Sequence, residues 1–564
     1  MTSIFVRYLC AEIENGCNFV AKTAADLIKM KDIVNRAARY LVGAAPLWLL
    51  YTMLMGLPCA LVWDDGNFHF GTVKMTVGML TALLPAALFT ALSCRRWAKV
   101  LIASMLWTLF VVDLWCFQVL GTRITERVLD SLLQTNLSEA TEFVDNYLTY
   151  KPILITAAIC ATVTLIYWLA KRLWLRREHR INTLAVWILL AVNGLSAVAI
   201  YVGHFSEVCG WLFTYTPLER MAIAVTESVG RMDRVHELEE ATDRLTVSEY
   251  MAGNAPRYVI VVIGESFNPW HSPLYGYPLN TTPNLKREYN GGNLLVFNDV
   301  TTPFATTAEM MEVLLSSAPA KVNKGGRASM AYPLWLTLFR NAGYGVGFHS
   351  NQNTRMIAEV RMDASCLYFL NSAKVARASL DYRNDRLHAY DGPFLKAETD
   401  SLFKQARGHR HWLSVVQLMG QHIDASKRYP VGAEKFGVSD YDYRKELTEK
   451  QKQEVAAYDN ATAYNDSVVT ALMHAVAGED AVVIYLSDHG EEVHDYRNHY
   501  GRTFEAMTLG IERNIYRVPV FVYTTPEFRR RHEDAYGALR GASVHPFTTA
   551  GLGELMVGAF LSPR

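Results

Sequence analysis

A chain of 564 residues is too long for one ordinary domain, and its 55 Lys+Arg against 55 Asp+Glu give zero formal net charge. That balance excludes the strongly basic surface a nucleic-acid partner requires, so no nucleic acid is expected. The eight cysteines contain no CxxC pair and exclude a dense disulfide framework, although Cys209 and Cys366 allow one bridge in the long C-terminal half.

Residues 1–38 read as a cytoplasmic segment without the n-region and adjoining h-region of a cleavable signal peptide. Residues 39–203 read as a transmembrane helical domain of five spans, each roughly 18 to 23 residues long. They run from Leu41 to Trp63, Met75 to Leu92, Val100 to Leu120, Pro152 to Leu169 and Thr183 to Val202. Their flanking charges alternate. Lys29, Lys31, Arg36 and Arg39 precede the first span; Arg95, Arg96 and Lys99 fill the second connection; Lys171, Arg172, Arg176, Arg177 and Arg180 crowd the fourth. Cytoplasmic loops are enriched in Lys and Arg, so these are the inner connections, and an odd number of spans puts everything after Val202 outside. Asp113 within the third span is costly unless it faces the bundle or a wet cavity, where it would mark a headgroup path.

Residues 204–254 read as a linker with amphipathic helices. Residues 255–564 read as an outer catalytic domain, an α/β sheet covered by helices on both faces. The strands expected are Tyr258 to Ile263, Tyr344 to Phe348, Trp412 to Leu418, Ala481 to Leu486 and Val518 to Tyr523, apolar runs suited to full burial.

Working residues in such sheets gather at the carboxyl ends of strands. Glu265 follows the first run, Gly420-Gln421-His422 the third, and Ser487-Asp488-His489-Gly490-Glu491 the fourth. Carboxylate and imidazole donors of that kind suit Zn²⁺, or less commonly Mn²⁺. The segment Asp299 to Ala308 is rich in hydroxyls and leads into the helix-like run Met310 to Leu315. Thr306 or Thr307 there is either a helix N-cap or a nucleophile activated by the metal, beside backbone N–H groups able to hold phosphate.

Several strings together carry a resemblance: Val262 to Ser266, the Thr-rich segment, Met419 to His422 with Arg428-Tyr429-Pro430, Tyr458-Asp459-Asn460, and Ser487 to Glu491 with His499. They resemble the phosphoethanolamine transferases of the alkaline phosphatase/sulfatase superfamily, and Gln134-Thr135-Asn136 to Glu139 resembles that family's motif in the corresponding outer loop. The resemblance implies a bacterial inner-membrane enzyme with a periplasmic alkaline-phosphatase-like α/β/α domain. It implies zinc held by Glu265, Thr307, Asp488 and His489, with Thr307 the nucleophile and Thr306 its rival, because Phe304 to Ala308 keeps the family's final Thr-Ala without its Cys-Gly. By the same resemblance His422 and His499 contact the phosphoryl group or protonate the leaving alcohol. Asn351, in Ser350-Asn351-Gln352, binds phosphate oxygens, and Glu139 meets the donor ammonium. The implied donor is phosphatidylethanolamine in the membrane lipid. Scarce cysteine departs from the lipid A-modifying members of that family, which carry several disulfides, and Arg428 to Pro430 with Tyr458 to Asn460 resembles the branches that modify lipopolysaccharide core sugars or periplasmic glycans, which implies such an acceptor. The competing expectations are a glycerolphosphate transferase of the lipoteichoic acid synthase type and a membrane sensor that has lost turnover.

Overall fold

The computed structural model describes residues 35–64, 67–120, 123–124, 128–129, 150–174, 191, 216–245, 250–253, 255–352, 366–496, 500–502 and 509–564. They divide into two compact units, one comprising residues up to Val119 with Tyr150–Ala222, the other Leu120–Thr149 with Ile223–Arg564.

In the first unit α1 (Ala45–Gly56) follows a short helix over Asn35–Gly43 at a bend of 79°. Pro46 lies in the first turn of α1, where its missing N–H is harmless; further into a continuous helix it would remove a bond and clash with the preceding turn. The first predicted span is therefore a bent pair. Leu61–Asp64, whose first three residues were expected to end that span as helix, instead pair antiparallel with Asn67–Phe70 in a short hairpin.

Three further helices, α2 (Thr72–Leu92), α3 (Arg96–Leu120) and α4 (Tyr150–Trp174), coincide with the second, third and fourth predicted spans and are long and apolar enough to cross a membrane. Among the described residues there are thus three spans, or four if the bent pair crosses as one. The fifth predicted span lies outside the described residues apart from Ala191. Asp113 on α3 is fully buried and ion-paired to Arg220 at the start of α5 (Pro217–Val229), so the charge inside a predicted span is offset by a guanidinium. A second linker helix, α6, covers Arg231–Asp243.

The second unit is organised by a sheet of seven strands. In chain order these are β1 (Tyr258–Gly264), β2 (Leu294–Phe297), β3 (Gly345–Ser350), β4 (Tyr382–Arg383), β5 (Trp412–Gln417), β6 (Ala481–Ser487) and β7 (Val520–Thr524). Their spatial order is β2-β7-β6-β1-β5-β3-β4, with β6, β1, β5, β3 and β4 mutually parallel and β7 antiparallel to both neighbours. The edge strands β2 and β4 were not anticipated; at four and two residues they are too short to carry a clear alternation.

Strand β1 shows why the domain is double-sided. Val259, Val261 and Ile263 point into one core with Met310, Met311, Val313, Leu314 and Leu315 of α7 (Thr307–Leu315). Tyr258, Ile260 and Val262 point into a second core with Phe394, Leu395 and Leu402 of α8 (Asp391–Ala406) and Val468, Val469, Leu472 and Met473 of α9 (Glu449–Ala475). Side chains alternate across a strand, so a sheet buried on both faces reads as an unbroken apolar run, and each buried Val or Ile stabilises it by about 1.5–3 kcal/mol. The entry to α9 is fixed by a capping box in which the Thr448 hydroxyl accepts from Gln451 N (3.3 Å) and the Gln451 side chain accepts from Thr448 N (2.9 Å).

Candidate metal centre

The parallel register of β6, β1 and β5 brings their carboxyl ends level. Asp488 N donates to Gly264 O (3.1 Å), Leu418 N to Ile263 O (3.0 Å) and Gln421 N to Glu265 O (3.0 Å), so three loops leave the sheet side by side. Gly420, at φ +49°, approaches so closely that a Cβ would lie 2.7 Å from Glu265 O and 2.8 Å from Glu265 N; glycine is required there.

Glu265, Asp488 and His489 are buried, and one donor atom from each lies within 4.8 Å of the others. His489 Nε2 is 3.1 Å from Glu265 Oε1 and 3.1 Å from Asp488 Oδ2. Its Nδ1 donates to Gly490 O at 3.0 Å, which orients the ring with Nε2 toward the carboxylates. Thr307, the first residue of α7, donates from Oγ1 to Glu265 Oε2 (3.0 Å) and lies 3.4 Å from His489 Nε2. Thr306 is the N-cap residue, and its hydroxyl turns away to Glu309 Oε2 (2.7 Å).

Burial and neighbouring charges shift each of the three ligands. Burial works against the Glu265 carboxylate, but the charge and hydrogen bond of His489, with His422 and Arg502, hold it well below the usual range. Asp488 is pushed upward, first by burial and then by the Glu265 charge. On His489, burial and Arg502 oppose the charged form, yet Asp488 and Glu265 raise it to about 9. The Asp488 Oδ2 atom is buried and accepts no hydrogen bond. Two carboxylates, an imidazole and an adjacent hydroxyl form a donor set that fits a divalent ion, which on entering releases the proton from His489.

Around this cluster the remaining predicted residues fall unevenly. His422 sits on the loop after β5, its Nδ1 against Ile423 O at 2.7 Å. Burial, aided by Arg428 and Arg502 and opposed by Glu265, lowers it to about 4, so it is a neutral imidazole at pH 7. Asn351 is committed elsewhere: its amide donates to Asp391 Oδ1 (2.9 Å) and accepts from His388 N (2.8 Å), while Asp391 accepts from Met419 N and Gly420 N and shapes the turn before His422. The next residue, Gln352, is the one that touches the cluster, donating from Nε2 to Glu265 Oε2 (3.0 Å). His499 and Glu139 lie outside the described residues, as does Cys209; Cys366 packs in the core beside Gln417.

Two further residues belong to the site without having been singled out. Arg502 places NH1 2.6 Å from His489 Nε2 and 3.3 Å from Ala305 O, with Nε 3.4 Å from Glu491 Oε2. Glu491 is buried with neither carboxylate oxygen hydrogen-bonded, and burial, against the pull of Arg502, raises it to about 7. Glu491 ends the Ser487 to Glu491 string; Arg502 had no local signal beyond being a cation shortly after it.

Residues 257–550 match the sulfatase family. The phosphoethanolamine transferase EptC of Escherichia coli (strain K12) is 25% identical over 513 residues, covering 86% of this chain and 83% of that protein. The phosphoethanolamine transferase CptA of Salmonella typhimurium is 26% identical over 514 residues, again 86% and 83%. The integral membrane lipooligosaccharide phosphoethanolamine transferase EptA of Neisseria meningitidis shares the fold with a TM-score of 0.58 at 16% identity, over 93% of this chain and 95% of that one. The chain belongs to the sulfatase family and, within it, to the phosphoethanolamine transferases, multi-pass inner-membrane enzymes whose catalytic domain lies in the periplasm.

Proposed function

We propose that the protein transfers phosphoethanolamine from phosphatidylethanolamine to a lipopolysaccharide core sugar or a periplasmic glycan, with Thr307 as the covalent carrier. The observation that carries this reading is the Thr307 hydroxyl, held 3.0 Å from Glu265 and 3.4 Å from His489 at the start of α7. Glu265, Asp488, His489 and Thr307 would hold zinc, which would supply Lewis acidity that lowers the hydroxyl pKa and neutralises charge on the phosphoryl oxygens.

Thr307 Oγ forms a bond to phosphorus as the bond to the diacylglycerol oxygen breaks; its proton leaves by way of the Glu265 carboxylate it already contacts. The departing alkoxide takes a proton from an imidazole, the role proposed for His499. The proposed partners of the phosphoryl oxygens are the backbone N–H groups opening α7 and the Arg502 guanidinium, which lies beside His489. In the second half an acceptor hydroxyl gives its proton to neutral His422 and attacks phosphorus, and Thr307 is released. Glu139 is the proposed contact for the donor ammonium. The boundaries proposed for the chain are a cytoplasmic segment to residue 38, spans to 203, a linker to 254 and the catalytic domain beyond.

Retention of the whole donor set argues against a sensor without turnover, and the similar EptC and CptA proteins argue against glycerolphosphate transfer. The test is mass spectrometry of the full-length protein after exposure to phosphatidylethanolamine. A phosphoethanolamine adduct on Thr307 is expected; a glycerolphosphate adduct, or none, overturns the reading.

A further inference from the structure

Behind the metal-ligand turn lies a second group of ionisable residues, centred on the buried His271 and Asp459, that takes no part in the chemistry just described. His271 is fully buried, with Nδ1 2.6 Å from Asp459 Oδ1 and Nε2 3.1 Å from Asp495 Oδ2. Asp459 Oδ2 also accepts from Tyr277 (2.7 Å) and Tyr441 (2.5 Å) hydroxyls, and Asp495 Oδ1 from Arg444 (3.1 Å). Both ring nitrogens face carboxylates, which requires the doubly protonated ring. Two aspartates then face two cations, His271 and Arg444, the latter also paired to Glu446 (2.9 Å), and every oxygen of the two aspartates is hydrogen-bonded. Burial alone would lower His271; Asp495 and Asp459 outweigh it and raise the imidazole to about 10.

The residues that meet here come from four places in the chain: the loop after β1 (Asn268, His271, Tyr277), the segment before α9 (Tyr441, Arg444), the middle of α9 (Tyr458, Asp459), and the loop after β6 (Glu491, Asp495). Their connections to the ligands are short. Asn268 donates from Nδ2 to Glu491 O (3.0 Å) and Asp495 Oδ2 (3.3 Å). Its backbone N donates to the Tyr458 hydroxyl (2.7 Å), which donates in turn to Ser266 O (2.5 Å). Ser266 is in the left-handed region at φ +59°, costly for a residue with a Cβ, and from there its hydroxyl donates to Glu265 Oε1 (2.9 Å) and its N to Asp488 Oδ1 (3.3 Å). A strained conformation next to two ligands persists only where surrounding contacts over-determine it, and the His271 group supplies them.

We propose that His271 is a positioning residue of the metal centre: clamped between Asp459 and Asp495, it ties the loop bearing Glu265 to the loop bearing Asp488 and His489 and sets the distance between their ligand atoms. It touches neither substrate nor metal. The inference rests on the zinc reading above, and the test separates the two. Zinc affinity of the full-length protein in detergent is measured by chelator competition for the wild type, His271→Gln and Asp495→Asn, with the thermal midpoint of each zinc-free protein recorded alongside. If the wild type binds no zinc, the metal reading itself fails. If it binds, His271→Gln is expected to lose affinity by about 10- to 100-fold, the range for residues that orient metal ligands, with kcat falling at saturating zinc and KM for the donor little changed. Asp495→Asn, which keeps the bond to Asp459, provides the milder case and the one to use if His271→Gln does not fold; a loss of several-fold is expected. A zinc affinity within twofold of wild type in the folded variants, whatever their midpoints, overturns the proposal, because a residue that serves stability alone would lower the midpoint and leave zinc binding intact.

Discussion

Two polar clusters, each with a buried histidine at its centre, flank the turn from Glu265 to Asn268, and they treat their polar atoms differently. Around His271, both ring nitrogens and all four oxygens of Asp459 and Asp495 have partners. Around His489, Asp488 Oδ2 and both oxygens of Glu491 are buried without a hydrogen bond. Interiors satisfy nearly all their polar groups, because each one left unpaired costs about 1–3 kcal/mol. A domain that completes one cluster and leaves its neighbour short of donors has kept those acceptors for something that binds: a cation among the ligand atoms.

The contrast can be broken most severely at Thr307. Thr307→Ala leaves the fold intact and is expected to lower transfer by at least about 10³-fold, measured as lipid turnover in detergent or bilayers. Retained turnover would place the nucleophile elsewhere. Next in size is Asp488→Asn, which removes charge from the incomplete cluster alone: zinc affinity should fall by about 10²-fold or more, while the zinc-free protein melts no lower than wild type because a buried like-charge repulsion with Glu265 is relieved.

The completed cluster is sharpened by pH. His271, raised from 6.5 to about 10, contributes stability that is fully present below pH 6.5 and declines as pH rises toward 10. The wild-type thermal midpoint is therefore expected to fall across that window, with His271→Gln lower at neutral pH and flatter toward pH 10; parallel curves would remove His271 from the charged group. Smallest is Thr306→Ala. The Thr306 hydroxyl bonds Glu309 and caps no backbone N–H, so a cost below about 1 kcal/mol and transfer within about twofold of wild type are expected.

How much of this the chain discloses in advance depends on the range of the interaction. Glu265, Asp488 and His489 are legible because each follows a continuous apolar run, and a parallel sheet must deliver strand ends to one edge. Thr307 is legible only as one of two hydroxyls; which one faces the ligands is decided by the first turn of α7, a rotation no string of letters shows. The same one-residue ambiguity separates Asn351 from Gln352: successive side chains on an extended chain point opposite ways, and the turn after β3 sends the second to Glu265. Arg502 and His271 are invisible locally, since their partners lie 11 to 224 residues away in sequence. In the first unit Pro46 was the available signal that the first span is bent, and hydropathy passes over it.

The measurement closest to the central claim is the position of the metal. In crystals of the zinc-loaded protein, anomalous scattering at the zinc edge should place one ion about 2.0–2.2 Å from oxygens of Glu265, Asp488 and Thr307 and from a nitrogen of His489. An ion bound elsewhere, or one held by the other three with Thr307 turned away, would contradict the account.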